Sequence, residues 1–172
     1  MPQIIGFMKE NDSFSSVKRP DMTGGTEGWP AGVKIVELPD KVDERGRLNF
    51  LEAEHDVPWE IKRVFWITGV PEGQTRGGHS HRTCHEAVFP VAGSFDITVS
   101  DGRREVTICM DDVRRGIVIP AGVWCRLENF TPGTVCLAMA SQEYDASGYV
   151  NDYSQFLREV VVGADVVDPV VG

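Results

Sequence analysis

The chain has 172 residues, 41% hydrophobic and 25% charged, ordinary for one globular domain with a sizeable core. Its formal net charge of −9 excludes the basic footprint that a phosphate backbone needs, so no nucleic-acid partner is expected, although a few local arginines suffice to hold a small anion. No apolar run approaches the ~20 residues of a membrane span, and the opening stretch MPQIIGFMKENDSF lacks a signal-peptide pattern. Cys84, Cys109, Cys125 and Cys136 follow neither zinc nor disulfide-scaffold spacing, which reads as reduced thiols in a cytoplasm.

Residues 1–32 are rich in Gly, Ser, Pro and Thr and read as an irregular extension. From Val33 the pattern changes to short apolar runs: VKIVEL, LNFLEAE, IKRVFWITGV, EAVFPVAG, SFDITVS, EVTICM, GIVIPAG, VWCRLENF and TVCLAMAS. Most are β-branched or aromatic and bounded by Gly, Pro, Asp or Asn, the pattern of half-buried strands. Ser100-Asp101-Gly102 reads as a hairpin turn, because Asp-Gly accepts the positive φ such turns require. Nine such runs at regular spacing predict an all-β domain, closed or double-sheeted, over residues 33–160. Only Tyr149–Val160 (YVNDYSQFLREV) has helical spacing, with Tyr149, Tyr153, Phe156, Leu157 and Val160 on one side and Asn151 or Asp152 available as a cap. The tail 161–172 is short, apolar and Gly-terminated, either a loose end or part of an intersubunit contact.

The residues with chemistry sit in GQTRGGHSHRTCHEAVFPVAG, where Gly73, His79, His81, Glu86 and Gly93 form the frame G-x5-H-x-H-x4-E-x6-G. Two histidines one residue apart on a strand share a face, and Glu86 approaches the same spot from beyond the next turn. In a small barrel that face is the inside. Imidazole and carboxylate together suit either a first-row metal ion or a proton-transfer site in which the carboxylate orients a histidine.

This frame resembles the first signature motif of the cupin superfamily. Pro120, Gly122 and Asn129 resemble the second, with Cys125 where that motif has histidine. The resemblance implies a jelly-roll, double-stranded β-barrel with a short C-terminal helix. In metal-binding cupins the matching positions hold an ion, which here implies His79, His81 and Glu86 with Cys125 as a soft fourth ligand. The wider stretch RGRLNFLEAEHDVPWEIKRVFWITGVPEGQTRGGHSHR, with GIVIPAGVWCRLENF and LAMASQEYDASGYVNDYSQFL, is similar to the sugar 3,4-ketoisomerases, from about Val42 to Phe156. That resemblance implies a homodimer that works without a metal or other cofactor on a nucleotide-linked 4-keto-6-deoxyhexose. His79 and His81 would be its catalytic pair, with His81 the principal base. Moving a ketone from C4 to C3 passes through an enediol, and an imidazole can take and return the proton. Arg63 and Arg76 are candidates to hold sugar or diphosphate oxygens through bidentate contacts. Trp66, Glu86, Trp124 and Cys125 are further candidates to face the substrate, the two tryptophans standing otherwise as core aromatics. The chain departs from the family's usual pattern at Cys125 and at Phe65-Trp66, where typical members carry tyrosines.

Overall fold

The computed structural model describes residues 26–165. They form β1 (Lys34–Glu37), β2 (Asp40–Asp43), β3 (Gly46–Asn49), β4 (Arg63–Thr68), β5 (Arg76–His81), β6 (Glu86–Ala92), β7 (Phe95–Ser100), β8 (Glu105–Met110), β9 (Arg115–Ile119), β10 (Trp124–Glu128), β11 (Val135–Ala140), β12 (Tyr149–Val150) and one helix, α1 (Tyr153–Asp165). Ten strands make two five-stranded sheets, β1-β9-β6-β11-β4 and β12-β5-β10-β7-β8, while β2 and β3 pair as a separate hairpin. Every strand pairing within these sheets is antiparallel. The inner faces meet in one apolar core, with Phe95, Ile97, Val99 and Ile108 from one sheet and Val88, Ile117, Ile119 and Ala138 from the other. This is the double-sheet β architecture expected from the strand runs, in the cupin form that the resemblance implied, and each of the nine runs contributes a strand.

The turns follow their residues. Gly102 sits at φ +83°, and Asp101 Oδ1 accepts the backbone N–H groups of Arg103 and Arg104, closing the hairpin between β7 and β8. Residues just before Val33 also contact the domain. Trp29 packs against the core, Ala31 N donates to Asp101 Oδ2, and Arg104 Nη1 donates to the Trp29 carbonyl. Most of the predicted extension, residues 1–25, and the end of the tail, 166–172, lie outside the described residues.

The helix begins later than its apolar spacing predicted. Tyr149 and Val150 leave a 3-10 turn (Ala146–Gly148) and pair with β5, Tyr149 opposite His81 and Val150 opposite Ser80. Asp152 then caps the helix: Gln155 N donates to its Oδ1 at 2.6 Å. A residue one helical turn before Tyr153 thus belongs to a sheet, because pairing with the open edge of β5 satisfies its backbone. The helix runs on to Asp165, through five residues assigned by sequence to the tail. It covers the outer face of the second sheet with Phe156, which is 2% exposed; burying that ring contributes about 2–3 kcal/mol.

Candidate active site

The β5–β6 hairpin builds the site. His79 and His81 point inward from β5, and Glu86 opens β6 where the chain returns, opposite Ala140 and Ile119. Near its start β5 carries a bulge. Arg126 pairs with Gly77 but Cys125 pairs with His79, so Gly78 is the extra residue. Gly77 and Gly78 have φ of +71° and +73°, and a Cβ on Gly77 would lie 2.9 Å from the Cys125 carbonyl oxygen. The bulge reverses the strand's alternation. Arg76 therefore lies opposite buried Leu127, on the histidine face, with its own side chain exposed.

Four polar side chains form a chain of contacts around this hairpin. His81 Nε2 lies 3.2 Å from Glu86 Oε1, and Arg63 Nη2 lies 3.5 Å from the same oxygen. Arg63 Nη2 also donates to the Tyr149 hydroxyl at 3.4 Å. The Tyr149 ring packs at 4.3 Å from the His81 ring and 5.0 Å from the His79 ring, and the two imidazoles meet edge-on at 5.0 Å. His81 Nε2 is at ion-pair distance from Glu86 but lacks hydrogen-bond geometry, and Arg63 Nε is likewise buried without a hydrogen-bond partner among the described residues. Buried donors left so are costly unless a ligand supplies acceptors, and hydroxyl and carbonyl oxygens would do so.

Burial lowers the pKa of His79, the positive form of His81 adds to this, and Glu86 opposes it. His79 is thereby held as a neutral base. Burial raises the Tyr149 phenol, against the pull of Arg63, so it stays protonated at neutral pH. Burial pushes the Cys125 thiol well above its ordinary range, and Glu86 pushes it further, so it stays a neutral thiol. Two pockets open on the cluster. One is lined by His79, Glu86 and Cys125 among apolar residues such as Phe65, Val88 and Ala138. The other is lined by Arg63, His81, Gln142, Glu143, Asp145 and Tyr149.

The structure brings together His79, His81, Glu86, Arg63 and Cys125, and leaves Arg76 exposed on the same face of β5, outside the lining of both pockets. It separates the two tryptophans from them. Trp66 is 67% exposed, because β4 alternates and Arg63, Phe65 and Ile67 take its inner face. Trp124 lies beneath α1, its ring 5.0 Å from Tyr153 and 5.6 Å from Phe156, one residue out of phase with inward-facing Cys125. Neither lines the pockets described above. Tyr149 was hidden by its helical spacing, although the segment YDASGY carrying it belongs to the resemblance. His85 is structural: its Nδ1 accepts from Ala121 N at 3.1 Å and its ring stacks on Trp59.

As metal ligands, His79, His81 and Glu86 present donor atoms within 4.8 Å of one another. Cys125 is outside that set, and the guanidinium of Arg63 already faces Glu86. A fixed cation beside the only carboxylate of the set opposes a second cation there, so the residues fit a proton-transfer network better than an ion.

Residues 31–161 match the family described as FdtA: WxcM-like, C-terminal. A curated relative from Aneurinibacillus thermoaerophilus, the TDP-4-oxo-6-deoxy-alpha-D-glucose-3,4-oxoisomerase, is 27% identical over 127 residues, 74% of this chain and 91% of that protein. The crystal structure of a 3,4-ketoisomerase from Helicobacter canadensis aligns with TM-score 0.74 and 33% identity, covering 76% of this chain and 98% of that one. A mutant of the 3,4-ketoisomerase QdtA from Thermoanaerobacterium thermosaccharolyticum, solved with TDP-4-keto-6-deoxyglucose, aligns with TM-score 0.76 and 31% identity over 81% of this chain and 99% of that one. With its inward histidine pair on a cupin barrel and a match over three quarters of its length, the chain belongs to the FdtA, WxcM-like C-terminal family.

Proposed function

We propose that this chain is a sugar 3,4-ketoisomerase acting on a TDP-linked 4-keto-6-deoxyhexose, in the synthesis of deoxysugars, by histidine acid–base catalysis. The observation that carries the reading is the convergence of His79 and His81 with Glu86 and Arg63, two of whose buried donors lack acceptors, in a chain similar to enzymes of that activity. His81 takes the proton from C3, and the electron pair of that bond moves through C4 onto the C4 oxygen, giving an enediol. A proton returned to C4 leaves the ketone at C3. Glu86 balances the charge that His81 gains, and Arg63 holds an oxygen of the sugar or the diphosphate. His79, kept neutral, orients the substrate or serves the second transfer. Cys125 and Phe65 present neither an imidazole nor a phenol to the cavity, so the sugar is gripped there by shape and apolar contact.

Proton NMR of the protein with TDP-4-keto-6-deoxyglucose in D2O tests this. Loss of the C3 proton signal with appearance of a 3-keto product, abolished by His81→Ala, is the expected result. Deuterium exchange without product would point to an epimerase instead, and no exchange would sink the isomerase reading for this substrate. A second reading, a metal-dependent cupin enzyme, draws on the three converging donors. Stoichiometric metal that survives dialysis, with activity lost on chelation, would favour it.

The same proposal includes a homodimer in the cytoplasm. Val42 and Leu48 on the β2–β3 hairpin are 63% and 60% exposed, Val64 and Trp66 on edge strand β4 are 49% and 67% exposed, and a second copy would cover them. The four cysteines form no disulfide, in keeping with a reducing compartment.

A further inference from the structure

Shifting a ketone from C4 to C3 moves two protons, one between carbons and one between oxygens. The carbon-bound proton goes from C3 to a base and a proton returns at C4. The C3 hydroxyl must also lose its proton, and the C4 oxygen must gain one in the enediol before the C3 carbonyl forms. A single imidazole engaged at the carbon edge cannot stand at the oxygens as well. Another group is needed that donates to O4 and recovers a proton from O3.

The group whose place in the structure suits it is Tyr149, a phenol in contact with both imidazoles. Tyr149 is brought to the histidines by the two-residue strand β12, which pairs it directly with His81. Its ring packs on both imidazoles, its hydroxyl accepts from Arg63, and it lines the pocket shared by Arg63 and His81. The alternatives inside the cavity are poor. Phe65 has no hydroxyl, and the Cys125 thiol is locked neutral by burial and is a weak donor. Glu86 is committed to His81 and Arg63.

We propose that Tyr149 is a catalytic residue whose phenol carries the oxygen-bound proton of the isomerisation, donating to O4 as the enediol forms and taking the O3 proton as the C3 ketone forms. The balance closes: the phenol O–H bond breaks as the O4–H bond forms, and the O3–H bond breaks as the phenol is restored. Arg63 stabilises the transient phenolate, and nothing is oxidised or reduced at the protein. This rests on the ketoisomerase reading above.

The test is Tyr149→Phe, which keeps the ring against both imidazoles and removes only the hydroxyl. Turnover of TDP-4-keto-6-deoxyglucose is followed by NMR, with Tyr153→Phe as control, since Tyr153, the first residue of the helix, packs on Trp124 and lines neither pocket. The expected result is a fall in kcat of about 100-fold or more with KM within about threefold, the scale of a positioned acid–base group, while Tyr153→Phe stays within about twofold. Wild-type kcat in Tyr149→Phe would overturn the role of the hydroxyl and leave the isomerase reading standing. A raised KM with unchanged kcat would also overturn it, making Tyr149 a binding group. A wild-type protein that does not turn over this substrate would overturn both.

Discussion

Replacing Arg63 by methionine probes the role the structure shows for this side chain, neutralising Glu86, apart from its proposed role at the substrate. Methionine keeps an apolar stem of similar reach and removes the charge. The Arg63 side chain is 18% exposed and that of Glu86 6%, with Nη2 3.5 Å from Oε1, so the pair is screened from water on both sides. Removing one partner of a buried pair costs about 3–5 kcal/mol, because the charge left behind has lost its compensation. Glu86 keeps His81 Nε2 at 3.2 Å, and the Arg63 contact is longer than an optimal charge-assisted bond, so the expected loss is about 2–3 kcal/mol. That corresponds to a fall of about 5–10 °C in Tm for a chain of this size. Urea unfolding at pH 7.5 of Arg63→Met, Glu86→Gln and the double variant closes a double-mutant cycle. The double variant should recover about 1–2 kcal/mol relative to the sum of the singles, since an uncharged glutamine no longer needs the guanidinium. Turnover should not recover with it if Arg63 also holds the substrate as proposed. If the single losses add to within about 0.5 kcal/mol, Glu86 and Arg63 are not coupled, and the charge network drawn around His81 is wrong.

Other consequences follow from the same geometry. His79 titrates below the ordinary histidine value of about 6.5, so the ring-proton shifts of its imidazole, followed by NMR, should titrate below that pH, and Glu86→Gln, which removes the carboxylate opposing the shift, should move the titration further toward acid. The depressed folded-state value means that the unfolded chain binds this proton first. The stability contributed is full above about pH 6.5 and is lost as pH falls toward the folded-state value; urea midpoints between pH 8 and 5 should decline less in His79→Gln than in the wild type. Trp66→Ala should leave kcat/KM within about twofold, whereas Trp124→Ala should lower stability by about 2–3 kcal/mol through the lost packing under α1, with KM unchanged.

Much of this was legible in the residues themselves, and where it failed the failure has a physical form. Side-chain alternation along a strand needs no tertiary information, so His79 and His81 had to share a face, and the short β-branched runs had to be strands. The same rule bears against two of the candidates chosen. Arg63 and Trp66 lie three apart on one strand, and Trp124 and Cys125 are adjacent, so neither pair can face one cavity together. β2 left no trace in the hydrophobic pattern because all four of its residues are exposed. Tyr149 was concealed by coincidence, since four residues before Tyr153 is also the spacing of a helical face.

Arg76 shows the limit of the alternation argument most clearly. Counting back from His79, ordinary alternation would turn Gly78 and Arg76 to different sides from their odd-numbered neighbours, and Arg76 would point away from the histidines. The bulge at Gly77 and Gly78 consumes one residue and brings Arg76 back to their face, opposite Leu127. A pair of adjacent glycines at positive φ is what allows the strand to make that shift, and the 2.9 Å approach of a Gly77 Cβ to a carbonyl oxygen is what forbids a larger residue there. The glycines before H-x-H thus decide which face the arginine takes: Arg76 lies on the histidine face of β5, with its side chain exposed.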